Sequence, residues 1–436
     1  MENVDQKLNP AIVGGGYAGM AAAVSLAAKN IPVTVFESAK QLGGRARGVW
    51  HNDTQLDNGQ HILLGCYHHT LSLIEQVGGD VERDFLRLPL QLTLHPRFEL
   101  RTAHLPAPLH LLAGLMTAQG LALSQRLRAI RFMLAMRRIN FTLPYDITAL
   151  ELLRAHQQDE KLIRLLWQPI CISALNTPLH KASAQILLNV LRDSLNGARS
   201  NSDMLLPRVD FSTLFPDRAA EYIKRHGGTV LTACGVQAII PHGEQIELVT
   251  DQGSQHFSHV ICAASPAATT RLLRTVPQLA TMAQQIDAIT HQPIYTVYLQ
   301  YPQQIGLPYP MLGFDQCITQ WLFDKGQIAG QRGLIAAVIS AEGVHQKLEH
   351  EALARKVVQE LRDQLGIMEA PLWHKIIAEK RATFSCEVNL RRPAHITPLV
   401  NVLLAGDYAE GNYPATLEGA VMSGIRSAQA ITSGHL

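Results

Sequence analysis

Charged side chains are scarce in this sequence of 436 residues. Asp, Glu, Lys and Arg make up 17% of the chain and hydrophobic residues reach 47%, whereas about a quarter of the residues in an average soluble domain are charged. The formal net charge is only +2, which gives no general electrostatic reason to expect a nucleic-acid partner. The length instead predicts two globular domains, or one domain with a large insertion.

Cysteines are also few and widely spaced. The six cysteines contain no Cys-x-x-Cys spacing, which argues against a disulfide framework or a zinc site and favours reduced thiols in a cytoplasmic protein. His68 and His69 are adjacent and have no carboxylate at ligand spacing, so they predict no metal site. The N-terminus lacks a basic and apolar targeting pattern, so we expect a cytoplasmic location.

A long uncharged stretch covers residues 102–125. Its prolines, histidines and glycines argue against a transmembrane helix. Five arginines follow between Arg126 and Arg138, and no acidic residue appears before Asp146. Apolar residues with arginines at helical spacing favour a segment at about 102–140 that lies peripherally on an anionic membrane, at the inner face of the cytoplasmic membrane. An amphipathic helix packed against its own protein remains the alternative.

A glycine cluster lies between a short apolar run and an alanine-rich segment near the start of the chain. In AIVGGGYAGMAAAVSL, Gly14, Gly16 and Gly19 form G-x-G-x-x-G between a predicted strand at 10–13 and a predicted helix at 18–30. The three glycines permit a tight turn, close approach of the backbone to a pyrophosphate, and close packing of helix on strand. The N–H groups at the helix N-terminus favour phosphate. This pattern predicts a dinucleotide site.

An acidic residue supports this interpretation. Glu37 ends the second predicted strand, where its carboxylate suits ribose hydroxyls and would repel a 2′-phosphate. NAD and FAD both remain open at this point. Two further features favour FAD, which needs a second binding segment.

The first of these features is QLGGRAR, in which Gly43 and Gly44 allow close backbone approach and Arg45 can pair with phosphate or carbonyl oxygens. The second is LLAGDYAEGNYPATLEGAV. Asp407 follows a predicted strand there and suits the ribityl hydroxyls. A helix beginning near Thr416 would direct its N–H groups at the pyrimidine edge of the flavin.

These segments resemble the FAD-dependent amine oxidase and phytoene desaturase superfamily. Longer phrases between them, such as DNGQHILLGCYHHTL, LWQPICISALNTP and MLLPRVDFSTLFPD, are similar to the hydroxysqualene dehydroxylase family, the squalene-associated FAD-dependent desaturases of bacterial hopanoid biosynthesis. The resemblance implies an α/β fold with a discontinuous Rossmann-like FAD-binding domain and a mixed α+β substrate-binding domain. The FAD-binding domain is predicted at 1–85, 205–270 and 385–436, and the substrate-binding domain at 86–204 and 271–384.

The same resemblance implies the function. Members of this family are thought to reduce hydroxysqualene to squalene with reduced FAD, which implies a lipophilic isoprenoid substrate and association with the upstream enzymes of squalene synthesis. The cofactor contacts that the motifs and the resemblance together predict are Gly14, Gly16, Gly19, Glu37, Gly43, Gly44, Arg45, Val236, Gly406, Asp407, Thr416, Leu417 and Glu418.

Loss of a hydroxyl as water requires an acid, and the sequence does not identify it. His61, Asp324 and Glu387 are candidates, and each is equally compatible with a hydrogen-bonding or surface role. An apolar, aromatic-lined tunnel would suit a C30 hydrocarbon and a carbocation derived from it. Its candidate lining residues, each of which also fits ordinary core packing, are Trp167, Asn176, Trp321 and Phe323.

Three rival functions share these features. A carotenoid-type desaturase or an amine oxidase would use the same fold. Many amine oxidases place an aromatic residue where this chain has Thr416, and a lysine on a strand beside the flavin, whereas the strand at 294–301 contains no lysine. A non-catalytic flavoprotein that binds squalene is the third rival.

Overall fold

The structure, a computed structural model, describes residues 8–433. The predicted FAD-binding segments extend beyond these residues at both ends, and the residues examined for a targeting signal lie largely outside them. The strands are β1 (Pro10–Val13), β2 (Thr34–Phe36), β3 (Gly48–His51), β4 (Thr54–Asp57), β5 (Leu63–Leu64), β6 (Phe85–Leu88), β7 (Gln91–His95), β8 (Phe98–Arg101), β9 (Met204–Pro207), β10 (Thr229–Leu231), β11 (Val236–His242), β12 (Gln245–Thr250), β13 (Gly253–Phe257), β14 (His259–Cys262), β15 (His291–Gln300), β16 (Met311–Phe314), β17 (Trp321–Asp324), β18 (Leu334–Ser340), β19 (Trp373–Phe384) and β20 (Val402–Leu404).

Helices connect these strands and form a separate layer between β8 and β9. They are α1 (Tyr17–Ala27), α2 (His68–Gln76), α3 (Val81–Asp84), α4 (Leu109–Thr117), α5 (Leu123–Arg138), α6 (Ala149–Ala155), α7 (Glu160–Leu162), α8 (Gln168–Leu175), α9 (Ala184–Leu195), α10 (Phe211–Leu214), α11 (Pro216–Arg225), α12 (Pro266–Leu273), α13 (Ala280–Asp287), α14 (Lys325–Ala329), α15 (His350–Leu365) and α16 (Leu417–Thr432). The α/β fold class predicted from the sequence is confirmed.

A five-stranded sheet in the order β10-β2-β1-β14-β20 is parallel throughout. Short apolar strands such as β1 and β20 are buried along their whole length, as expected for a parallel sheet covered on both faces. Their carboxyl ends meet at one edge, where ligands of such sheets bind. Gly14 follows β1, Glu37 follows β2 and Asp407 lies just beyond β20 at this edge.

Helices α1 and α16 pack against each other because glycines remove side chains at their contact. A Cβ atom on Gly424 of α16 would lie 2.1 Å from the carbonyl oxygen of Ala18. A Cβ atom on Gly19 would lie 1.9 Å from the carbonyl oxygen of Gly14, so this glycine is needed for α1 to approach the loop after β1. The last helix of the chain is thereby held beside the first.

A seven-stranded mixed sheet, β19-β15-β18-β17-β16-β7-β8, forms the second layer. Side chains alternate between its faces. Leu322 packs with α15 on one face, whereas Trp321 and Phe323 belong to the large core on the other. This sheet joins β7 and β8 from the predicted 86–204 segment with strands from 271–384, although the domain boundaries themselves remain predictions.

Two details differ from what the sequence pattern predicts. The segment TLFPDRAAEYIKRH predicts a single helix over residues 213–226, but α10 and α11 are separated at Phe215. Pro216 lacks an N–H group and restricts the residue before it, so it can begin α11 but cannot continue α10. The Leu-rich segment 86–201 has helical spacing and predicts helices, with FLRLPLQLTLHP as an extended exception, but it also contains β8, which pairs with β7 to form a hairpin.

Candidate functional site

The loop after β1 leaves open space at the N-terminus of α1. Gly14 has φ of +115°, and a Cβ atom there would lie 2.7 Å from the carbonyl oxygen of Ala263. A Cβ atom on Gly16 would meet nothing closer than Gly44 Cα, at 3.9 Å. Helix α1 begins at Gly16 without a side-chain cap, so its first N–H groups remain available. Together with Gly43, these glycines form a cradle that fits a pyrophosphate.

Glu37 is fixed beside this cradle. Its half-buried carboxylate accepts hydrogen bonds from the N–H groups of Gly15 and Ala39, each at 2.7 Å. The Ser38 hydroxyl also donates to this carboxylate at 3.2 Å, and because a carboxylate has about four acceptor positions, one remains for a ribose hydroxyl. Cys234 N–H donates to the carbonyl of Glu37 at 2.9 Å, which brings Val236, the first residue of β11, to the same edge.

Arg45 and Asp407 lie far apart in the chain but form an ion pair of 2.6 Å. Arg45 also donates to the carbonyl of Ala382 at 2.7 Å, and the Asn58 side chain donates to the carbonyl of Arg45 at 3.2 Å. Gly406, with φ of +153°, turns the chain immediately before Asp407. The pair connects the first and last segments of the predicted FAD site.

The start of α16 contains three predicted cofactor contacts with different surroundings. Thr416 caps the helix by accepting from Gly419 N–H at 3.1 Å, and both Thr416 and Leu417 are half-buried. Glu418 is 1% exposed. Its carboxylate accepts from the backbone N–H groups of His69 and Thr70, the Thr70 hydroxyl and the His69 ring, at 2.6–3.0 Å. The Glu418 side chain therefore caps α2 and has no position left for a cofactor.

His61 lies in the segment that follows β4, close to Arg45. Its Nδ1 is 2.8 Å from the carbonyl oxygen of Gly59, so Nδ1 carries the proton and Nε2 is left as an acceptor. Its ring packs on Phe211 with a centroid distance of 4.8 Å. Burial lowers the pKa of His61. A neutral imidazole is a poor acid, which weighs against His61 as the proton donor.

The other two candidate acids have structural roles. Asp324 is 3% exposed and caps α14 by accepting from Gln327 N–H at 3.0 Å, while also accepting from Leu307 N–H at 2.8 Å. Glu387 is half-buried and accepts from the Thr290 hydroxyl at 3.0 Å.

The four predicted pocket residues divide into two groups. Trp321 and Phe323 lie on the same face of β17, and Trp321 Nε1 donates to the Ser173 hydroxyl of α8 at 2.9 Å. Asn176, at the end of α8, fixes that helix to the sheet through Thr383 and the Ala341 N–H.

Trp167 lies apart from these residues in the helical layer. Its ring NH donates to Gln158 at 2.9 Å, and its ring contacts Phe132 of α5 edge-on at 4.9 Å. The structure therefore places Trp167 in a packed helix–helix core.

A buried pair of opposite charges was missed by sequence analysis. Lys325 Nζ lies 3.9 Å from Asp57 Oδ2, with the side chains 5% and 4% exposed. Gln60 Oε1 is 3.5 Å from Nζ. Burial raises the pKa of Asp57 and lowers the pKa of Lys325. The available signal was a charged residue at the end of each of two strands, since Asp57 ends TQLD and Lys325 directly follows WLFD.

The parallel sheet, its glycine cradle and a second binding segment at β20 and α16 define a dinucleotide-binding oxidoreductase of the flavin type. The model of the flavin-containing amine oxidoreductase family matches residues 17–432, so the chain belongs to this family. Its cofactor is FAD, and the cradle, Glu37 and the Arg45–Asp407 pair are the residues predicted to hold it.

Similarity to individual proteins extends over nearly the whole chain. Hydroxysqualene dehydroxylase of Sinorhizobium fredii is 26% identical over 441 residues, covering 98% of this chain and 98% of that protein. Zeta-carotene desaturase of Synechocystis sp. is 23% identical, covering 98% and 97%. A solved structure of a triple mutant of putrescine oxidase has a TM-score of 0.74 at 17% identity, covering 98% and 99%.

Replacing Glu418 should destabilise the protein. Glu418→Gln leaves one acceptor oxygen for four donors, so we expect the free energy of unfolding to fall by about 1–3 kcal/mol, measured by chemical denaturation of the FAD-bound protein. Glu369→Gln, at an exposed position, is the control. Equal stability of both variants would contradict the capping role.

Replacing Glu37 should weaken FAD binding. Glu37→Gln removes a charged acceptor from the predicted ribose contact, so we expect the Kd for FAD to rise about tenfold. Fluorescence of released flavin measures this, and thermal unfolding of the FAD-free protein separates affinity from stability. An unchanged Kd would show that Glu37 serves only the loop.

Proposed function

We propose that this chain reduces hydroxysqualene to squalene. The observation that carries the proposal is the end-to-end similarity to hydroxysqualene dehydroxylases, which spans 98% of both proteins for that of Sinorhizobium fredii. An FAD-binding site in a family of oxidoreductases is consistent with this redox reaction.

In this reaction the allylic hydroxyl leaves as water and a hydride takes its place. FAD, when bound in its reduced form, supplies hydride chemistry. The protein has to hold an apolar chain, exclude water and provide a proton. The face of the seven-stranded sheet that carries Trp321 and Phe323 supplies buried aromatic surface, which suits a hydrocarbon and a delocalised cation.

A carotenoid-type desaturation is the second candidate. It is supported by the similarity of zeta-carotene desaturases along the chain, at a lower identity of 23%. An amine oxidase reaction has less support, because the family pattern of an aromatic residue at the Thr416 position and a lysine on β15 is not present in this sequence.

An anaerobic assay tests the proposal. The flavin of the purified protein is reduced, hydroxysqualene is added, and flavin absorbance and products are followed. We expect flavin reoxidation with formation of one squalene per flavin. The same assay with oxidised flavin and a carotene precursor or a diamine tests the rival reactions. Absence of reoxidation and of squalene would overturn the proposal and leave a non-catalytic squalene-binding flavoprotein.

We further propose that α4 and α5 contact an anionic membrane surface from which the substrate is taken up. Eight of the sixteen most exposed large apolar side chains lie between Leu105 and Tyr145. No helix within residues 8–433 is long and apolar enough to cross a membrane.

The arrangement of side chains on α5 supports this contact. Leu123, Leu127 and Leu134 are 38–57% exposed, and the exposed Arg131 and Arg138 share their face. At 100° per residue, all five lie within about 80° around the helix axis. Residues of the opposite face are buried against the protein. Apolar and cationic groups on one outward stripe are typical of an interfacial helix on anionic lipid.

Removing the leucines should weaken membrane binding. With Leu123, Leu127 and Leu134 all replaced by Ser, we expect at least a tenfold loss of binding to phosphatidylglycerol vesicles, because each leucine contributes buried apolar area. The control replaces the exposed Val344, Met368 and Leu372 by Ser. Equal sedimentation with vesicles for both variants and the parent would contradict the proposal.

A further inference from the structure

Burial of the Lys325 ammonium group is energetically unfavourable, so a functional role would explain its position. Transfer of a lysine ammonium and a carboxylate into a protein interior costs several kcal/mol per ion, and good geometry is needed to offset it. The separation of 3.9 Å between Lys325 Nζ and Asp57 Oδ2 is too long for a hydrogen bond. The pair is therefore buried without the direct contact that would best stabilise it.

The hydrogen bonds of the ammonium are also incomplete. Among residues 8–433, the acceptor found for Lys325 Nζ is Gln60 Oε1, at the long distance of 3.5 Å. An ammonium has three donors. Asp57 accepts from Phe211 N–H at 3.0 Å through Oδ1, and its Oδ2 lies 3.9 Å from Nζ, so it offers Lys325 charge rather than a hydrogen bond. At least one N–H of Lys325 remains available for an oxygen atom of a ligand.

The surroundings connect Lys325 to the predicted site. Trp321 and Phe323 precede it along β17, on the sheet face opposite α15. Gln60, which Lys325 contacts, donates through its amide to the carbonyl of His61 at 3.1 Å. Asn58, in the same segment, donates to the carbonyl of Arg45, which is paired with Asp407. The ammonium thus lies where the aromatic face meets the segment connected to the FAD site.

We infer that Lys325 is the proton donor to the hydroxyl group of the substrate, with Asp57 and Gln60 as positioning residues. This inference rests on the proposed function. The proton moves from Nζ to the hydroxyl oxygen, and the C–O bond breaks with its electron pair leaving on water. The hydride of the proposed reaction then bonds to the carbon atom that has lost the hydroxyl group. The neutral amine regains a proton from solvent before the next turnover.

The electrostatic environment is consistent with this role. Burial lowers the pKa of Lys325, which makes it a stronger acid, and the negative charges of Asp57 and Asp210 oppose this shift by favouring the protonated form. The carboxylate of the adjacent Asp324 is directed to Gln327 and Leu307. The Tyr298 hydroxyl donates to the backbone carbonyl of Asp57 at 3.0 Å.

Three substitutions separate proton donation from a purely structural charge. In the single-turnover anaerobic assay, Lys325→Met is expected to slow flavin reoxidation by hydroxysqualene at least 100-fold. Lys325→Arg keeps the charge, but its guanidinium does not release a proton, so it should be nearly as slow. Lys356→Met, on the exposed face of α15, should match the parent. A fast Lys325→Arg variant would overturn proton donation.

The pH profile gives a second readout. The reaction needs protonated Lys325, so the rate of the parent should fall as the pH rises through a pKa below that of ordinary lysine. Lys325→Gln should show a low rate without this alkaline decline. An alkaline decline that persists unchanged in Lys325→Gln would overturn the assignment.

Binding to the oxidised protein provides a readout independent of turnover. The parent should bind hydroxysqualene about tenfold or more tightly than squalene, since only the alcohol accepts a hydrogen bond from the ammonium, and Lys325→Met should abolish this preference. If Lys325→Met fails to fold, the double variant with Asp57→Asn leaves no unpaired buried charge and is tested instead. A parent that binds both ligands equally would overturn the inference. A parent that discriminates but forms no squalene would overturn the proposed function and proton donation with it, and would leave Lys325 as a residue that binds the hydroxyl group.

Discussion

The close approach of α16 to α1 is the constraint on which the cofactor site depends. Gly424 allows the backbone of α16 to lie against Ala18, and Gly19 allows α1 to lie against the loop after β1. These contacts bring Thr416 and Asp407 to the same sheet edge as Gly14 and Glu37. A side chain at Gly424 would force the two helices apart, and one at Gly19 would force α1 away from the loop after β1.

Ion pairs and hydrogen bonds to buried carboxylates then fix the loops around this edge. The Arg45–Asp407 pair joins segments from both ends of the chain, and Glu418 holds the start of α2 through four hydrogen bonds. In both cases a buried carboxylate is compensated by donors from a distant segment, as the low dielectric of the interior demands. Lys325 and Asp57 are the exception, because their geometry leaves donor capacity unused.

Local patterns in the sequence were sufficient for the fold class and for many elements. The unit β1–α1–β2 was predicted because glycine spacing and apolar runs are local signals. Long-range contacts were not accessible in the same way. Glu418 was assigned to the cofactor because it lies in the first turn of α16, whereas its partner His69 is 349 residues away. The Lys325–Asp57 pair likewise depends on where the fold places the end of β17 relative to β4. The sequence around neither residue encodes that placement.

The strand order of the parallel sheet also has a consequence for biosynthesis. β1 lies between β2 and β14, and β14 in turn pairs with β20, which ends at Leu404. A nascent chain therefore exposes an unpaired apolar edge of β1 until residue 262 has left the ribosome, and then one of β14 until residue 404 follows. Such non-local pairing slows folding and exposes surface that favours chaperone binding. The segments of the predicted FAD site are therefore all present only after β20 and the start of α16 have been synthesised.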